Sequence, residues 1–310
     1  MSPAPFPAIL EEELAADGTL APTAVVFLTN KRCPFRCVMC DLWKHTVGER
    51  VPVGAIPQQI RDALRPLPPA RQIKLYNAGS FFDPNAIPPE DDETIAPLLD
   101  RFDRVIVEAH PAFLAGVYGE RCLRFRDRVR GRLEVAIGLE TAHEEVLARL
   151  DKHMTLDSFR EAAAFLAANE IDLRAFILLK PPFMDEGTAV EWACRSIDVA
   201  RECGATACTI IPTRPGNDGM PADFVPPRLA ALERAMEHSL CRPGLAKQTR
   251  RLAKQTRRLA KQTRHLRVFA DLWDVERFAD CDCSPARVIR LREMNLTQRI
   301  PPRVECHCEA

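Results

Sequence analysis

Three cysteines, Cys33, Cys37 and Cys40, lie in the stretch TNKRCPFRCVMCDLWK, Thr29–Lys44, directly after the apolar run Ala24–Leu28. Thiolate sulfur is a soft ligand, and three on one short loop can face a single centre of iron or zinc. A structural zinc site ordinarily takes four protein ligands. Three thiolates suit a cubane iron–sulfur cluster better, with one iron left open to a ligand that is not protein. A second set closes the chain, Cys281-Asp-Cys283 and Cys306-His-Cys308. These two C-x-C pairs supply four thiolates, enough for zinc or an auxiliary iron–sulfur cluster, with free thiols as the alternative. Cys122, Cys194, Cys203, Cys208 and Cys241 are scattered through helical or strand patterns and read as core residues.

Something must hold the first loop in place, and the surrounding pattern indicates what. Short apolar runs rich in β-branched residues recur at Ala24–Leu28, Gln72–Tyr76, Arg104–Val107, Leu133–Ile137, Leu173–Leu179 and Ala207–Ile211. Amphipathic segments separate them, which is the signature of βα units in a parallel sheet. Helices are expected over Ala55–Leu64, Ala142–Leu150, Thr155–Asn169, from the capping box Thr188–Glu191 to about Cys203, and over Pro226–Leu240. Six such strands predict an incomplete (β/α) barrel or, equally on the pattern alone, an open doubly wound sheet.

Chemistry in such folds sits on the loops after the strands. Here the runs end in Thr29 and the cysteine loop, Asn77-Ala78-Gly79-Ser80, Glu108-Ala-His110, Glu140-Thr141, Lys180, and Thr213-Arg214. Polar groups at nearly every strand end predict a ring of functional groups around one mouth. Backbone carbonyls at Asn77–Ser80 can serve an ammonium group, and Gly79 allows close approach; an ordinary strand-to-helix turn is the plainer reading. Glu140 can accept hydrogen bonds from two adjacent hydroxyls, or cap the following helix. Lys180 and the Arg214-Pro-Gly-Asn217 stretch can bind carboxylate or another anion.

The chain has 310 residues, enough for one large α/β domain with an appendage. No run of eighteen apolar residues is present, so no membrane span is expected. Without a basic-then-apolar leader, the twelve cysteines point to a reducing cytoplasm and metal ligation rather than disulfides. Formal net charge is zero, yet Arg242–Arg267 holds ten Lys or Arg and no acid. That segment contains LAKQTRR, LAKQTRR and LAKQTRH in tandem from Leu245 to His265, a basic, helix-favouring repeat. It would attract phosphate backbones, but it has no aromatic residue to stack on bases, and a solvated linker is an equal alternative. The expected divisions are an N-terminal extension over 1–22 with an acidic patch at Glu11–Glu13, a core over 23–240, the basic insertion over 241–267, and a cysteine-pair segment over 268–310.

The C-x3-C-x2-C loop resembles the signature of radical S-adenosylmethionine (SAM) enzymes. That resemblance implies an α/β fold, a partial (β/α)6 TIM-like barrel with a small Cys-containing C-terminal extension. It also implies a [4Fe–4S] cluster on Cys33, Cys37 and Cys40, whose open iron binds SAM. Met39 stands where an aromatic residue is usual, and its thioether can still pack on adenine. Asn77, Ala78, Gly79 and Ser80 take the place of a Gly-Gly-Glu stretch that contacts the SAM amino group, and Glu140 that of a ribose contact. Glu108-Ala-His110-Pro111 is similar to a Glu-x-Arg-Pro element of tRNA-modifying relatives.

More closely, TNKRCPFRCVMCDLW, KLYNAGSFFDPNAIP, EVAIGLET, FILLKPPF, PTRPGN and the terminal cysteine pairs resemble the family of the radical-SAM subunit of archaeosine synthase, related to tRNA methylthiotransferases and the elongator acetyltransferase subunit. The likeness runs through Thr23–Leu240 and resumes over Arg267–Cys308. It implies an enzyme that splits SAM to a 5′-deoxyadenosyl radical and modifies a tRNA base, with an electron donor such as ferredoxin or flavodoxin and a partner enzyme. The alternatives are a radical-SAM enzyme acting on a peptide or small metabolite, and a non-catalytic zinc-binding protein.

Overall fold

The computed structural model of the chain describes residues 8–215, 219–241, 266–306 and 308. The LAKQTRR repeat and Asn217 lie outside the described residues. The described strands form one eight-stranded sheet in sequence order: β1 (Ile9–Leu14), β2 (Leu20–Leu28), β3 (Gln72–Asn77), β4 (Arg104–Glu108), β5 (Arg132–Glu140), β6 (Asp172–Leu179), β7 (Ala207–Pro212) and β8 (Arg267–Ala270). β1 pairs antiparallel to β2, and every later pairing is parallel. The described helices are α1 (Ala55–Leu64), α2 (Asp92–Leu99), α3 (Gly116–Arg128), α4 (Glu144–Arg149), α5 (Leu156–Ala168), α6 (Glu186–Glu202), α7 (Leu229–Cys241) and α8 (Ser284–Thr297).

The six expected parallel strands are present as β2–β7. The sheet curls into a nearly closed barrel rather than lying open. Arg174 on β6 reaches Glu13 on β1 at 2.5 Å, which requires the sheet to fold round so that distant strands face each other. At the gap, Arg267 on β8 donates to the Leu14 carbonyl on β1 at 2.8 Å.

The expected N-terminal extension contains strand β1, which belongs to the barrel. Its sequence, ILEEEL, is too acidic to show the alternation of a half-buried strand. The acids are matched inside instead. Lys74 on β3 binds Glu13 at 2.6 Å and Glu11 at 2.5 Å. Arg174 and Arg104 both reach Glu134 on β5, at 2.6 and 2.7 Å. All of Glu13, Lys74, Arg104, Glu134 and Arg174 are buried. Burying a charge is tolerated only when its lone pairs and protons are met in this way.

Outside the sheet, the helices cover an apolar core. Ile56 and Ile60 of α1, Phe125 of α3, and Leu156, Phe159 and Leu166 of α5 are all buried. Phe81 and Phe125 stack at 4.9 Å between centroids, and each such buried ring contributes about 1.5–3 kcal/mol. α5 begins with a capping box between Thr155 and Ser158. α6 begins at Glu186, two residues before the expected box, and the Thr188 hydroxyl donates to the Asp185 carbonyl.

Candidate functional site

Parallel pairing sets the level at which the strands release their loops. Leu28 on β2 pairs with Asn77 on β3, so the cysteine loop and the Ala78–Ser80 loop leave side by side. Asn30 joins them: its side-chain amide donates to the Lys31 carbonyl at 2.7 Å and to the Ala78 carbonyl at 3.1 Å. Gln59 on α1 clamps Thr29 from below, accepting from its amide at 2.7 Å and donating to its carbonyl at 2.9 Å. The loop is then pinched by backbone bonds between Asn30 or Arg32 and Val47, and docked just past the C-terminal end of α4 by Val38 N–H donating to the Leu150 carbonyl at 2.9 Å.

Within this frame Gly79 takes φ +127°, and a Cβ there would lie 3.3 Å from Cys33 Cβ and 3.5 Å from its sulfur. Only glycine combines that backbone with that approach. Asn77 and Ser80, both buried, leave the two amide atoms and the hydroxyl without a hydrogen-bond partner among the described residues, and Asn30 leaves its side-chain Oδ1 so. Buried polar atoms are nearly always paired, so this cluster is suited to receive a ligand or ordered water. Asn77 and Ala78 line a cavity of about 150 Å³ with Phe27, Thr29, Tyr76 and Glu108.

The fourth strand end approaches from the other side. β5 bulges between Gly138 and Glu140, and Glu140 takes φ 63°. Its carboxylate forms a buried ion pair with Lys152. A Cβ on Gly138 would collide with both groups, so glycine makes room for the pair. Burial opposes the Lys152 ammonium, but Glu140, Cys37 and Cys40 outweigh it and hold its pKa above the ordinary lysine value. Lys152 is thus a cation acting on the cysteine loop that the sequence reading does not identify. It lies in a turn, DKH, without a motif, and only the fold brings it to the loop.

Burial pushes the Cys37 thiol up to about 12 and Cys40 up to about 11, and raises Cys33 as well. Thiols in so poor a solvent ionise only when a positive centre compensates them. Burial also pushes the half-buried Glu108 up to about 8, against the attraction of Lys152.

Other strand-end residues are already engaged. His110 stacks on Phe35 of the cysteine loop at 4.1 Å, and burial and the Lys152 charge push it down to about 4. As a neutral ring it accepts from Ala112 N–H and donates to the Lys152 carbonyl at 2.9 Å, a scaffold role. Arg214 is held by Asp271 at 2.9 Å and Asp274 at 2.7 Å, and Lys180 by Glu186 at 2.7 Å. Met39 is half-buried and packs against the core.

No family model matches the chain. It is 28% identical over 194 residues to archaeosine synthase subunit beta of Methanosarcina acetivorans, covering 59% of this chain and 56% of that one. It is 27% identical over 169 residues to archaeosine synthase subunit beta of Thermococcus kodakarensis, covering 52% and 51%. The chain thus spans about half the length of these curated relatives. In structure it is similar to a radical SAM methyltransferase from Sphaerobacter thermophilus, with TM-score 0.53, 13% identity, and 86% and 78% of the two chains covered. No helix among the described residues is long and apolar enough to cross a membrane. The barrel with the cysteine loop at its mouth is the fold of that radical SAM structure, and in sequence the chain is similar to the two archaeosine synthase beta subunits.

Proposed function

We propose that this protein is a radical SAM enzyme acting on a tRNA base. Cys33, Cys37 and Cys40 would hold a [4Fe–4S] cluster, and Asn77, Ala78, Gly79 and Ser80 would receive the amino group of SAM. The observation that carries this reading is the set of unpaired buried atoms on Asn77 and Ser80, set against Cys33 through Gly79. When bound, the two cofactors supply a one-electron cleavage of SAM that yields a hydrogen-abstracting radical.

The chain's own residues do the positioning. Lys152 places positive charge beside Cys37 and Cys40 and holds Glu140 at the mouth, where its remaining acceptor capacity suits a ribose. Phe35 and His110 wall one side of the loop and exclude water. Glu108, protonated at neutral pH, is a hydrogen-bond donor on the cavity wall.

The tRNA substrate and a partner subunit rest on the names of the two archaeal relatives, both beta subunits of archaeosine synthase. The ten basic residues of Arg242–Arg267 supply charge suited to a phosphate backbone. The test is 5′-deoxyadenosine formation by the anaerobically reconstituted protein with and without bulk tRNA. Turnover should rise with tRNA. SAM cleavage indifferent to tRNA would point to a peptide or small metabolite instead.

A further inference from the structure

The sulfurs of Cys281, Cys283, Cys306 and Cys308 all lie within 4.8 Å of one another. Cys281 Sγ is 3.8 Å from Cys306 Sγ, and Cys283 Sγ is 3.9 Å from Cys308 Sγ. Four thiolates around one zinc at about 2.3 Å form a tetrahedron whose edges are about 3.8 Å. A two-iron or four-iron cluster places metals and sulfides between its ligands, so some sulfurs would have to stand farther apart than these do. A disulfide would need about 2.05 Å, and none of the four cysteines forms one.

The surroundings complete a metal site. Ser284 accepts from the Asp280 and Cys281 amides at 3.1 and 3.2 Å, which fixes the turn carrying the first pair of thiols. The Arg287 guanidinium pairs with Glu233 on α7 and interacts favourably with the Cys281 and Cys306 thiols. A cation beside two ligand sulfurs offsets the negative charge of a four-thiolate centre, and such outer groups help hold the ligands in register. The tail between the two pairs is also fixed. Arg290 on α8 donates to the Pro301 carbonyl at 2.9 Å, and Arg303 binds Glu237 on α7 at 2.6 Å.

We infer that Cys281, Cys283, Cys306 and Cys308 bind a single tetrahedral zinc ion that fastens the C-terminal tail across the start of α8. Zinc is preferred to ferrous iron at such a site because its affinity for the same ligands is higher and no electron transfer is asked of it. The centre is separate from the cysteine loop and does not depend on the function proposed for that loop. The ion staples together two segments that flank α8, which packs against β1 and β8 at the barrel gap.

The experiment uses the full chain and a Cys33→Ala/Cys37→Ala/Cys40→Ala variant, purified with zinc and then offered iron and sulfide anaerobically. One zinc per chain should be found in both, and cobalt substitution should give the visible bands of a tetrahedral thiolate centre. Cys283→Ser/Cys308→Ser should lose the zinc, and Arg287→Gln, which keeps all four ligands, should lower zinc affinity at least tenfold. The triple variant makes failure here distinguishable from failure of the loop assignment. Iron–sulfur absorption in that variant, or zinc that remains in Cys283→Ser/Cys308→Ser, would overturn the inference, as would the absence of stoichiometric zinc.

Discussion

Gly79 lies against Cys33 across two strand-end loops, with its backbone at φ +127° and a Cβ there only 3.3 Å from Cys33 Cβ. The backbone conformation and the close approach together favour glycine beside this candidate ligand.

Gly79→Ala is therefore expected to strain the backbone by about 1–2 kcal/mol and to push Cys33 away from its neighbours. Reconstituted protein should bind SAM at least tenfold more weakly while its melting temperature falls only a few degrees. Calorimetric titration with SAM alongside thermal unfolding checks both. Unchanged SAM affinity would remove Asn77–Ser80 from the binding surface.

Lys152→Met leaves the Glu140 carboxylate buried without its partner. Breaking a buried pair from one side costs on the order of 3 kcal/mol, measurable by urea unfolding. The variant also removes positive charge beside Cys37 and Cys40, so a cluster bound there should become harder to reduce. Redox titration followed by electron paramagnetic resonance reads that change.

Glu108 gives a pH dependence of defined sign. Burial lifts its pKa from 4.5 to about 8, so between those values the folded protein holds a proton that the unfolded chain has lost. Stability from this group should fall as pH rises through that window, by up to about 1.4 kcal/mol per pH unit. Glu108→Gln should remove the slope, so its stability relative to wild type increases with pH. Parallel unfolding curves across the window test this.

Arg174→Met removes a cation that answers both Glu13 and Glu134 inside the barrel. A loss of about 3–5 kcal/mol is expected, with β1 the first strand to exchange its amide protons. Hydrogen exchange at Ile9–Leu14 is the readout.

Much of this arrangement is written locally. α1 runs over Ala55–Leu64 as its periodicity predicts, and the six parallel strands match their apolar runs within a few residues. β1 is hard to read because Glu11 and Glu13 find their partners, Lys74 and Arg174, only on strands far along the chain. β8 is four residues long, too short to carry a period. α2 contains Pro97 and α3 two glycines, which weaken a helical reading that packing restores. At the site, Asn77, Gly79 and the cysteines stand out as candidates by their types and spacing. Lys152 does not, because its role is created by a turn that tertiary contact brings to Cys37. The acids that hold Arg214, Asp271 and Asp274, lie 57 and 60 residues away in sequence, so this pairing is not legible locally.

The most direct test of the central claim compares 5′-deoxyadenosine formation from SAM by the reconstituted wild type with that of Cys33→Ala, Cys37→Ala and Cys40→Ala. The expected result is robust formation by the wild type and none by any of the three variants. SAM cleavage surviving in one of them, or a wild type that assembles no cluster and cleaves no SAM, would contradict it.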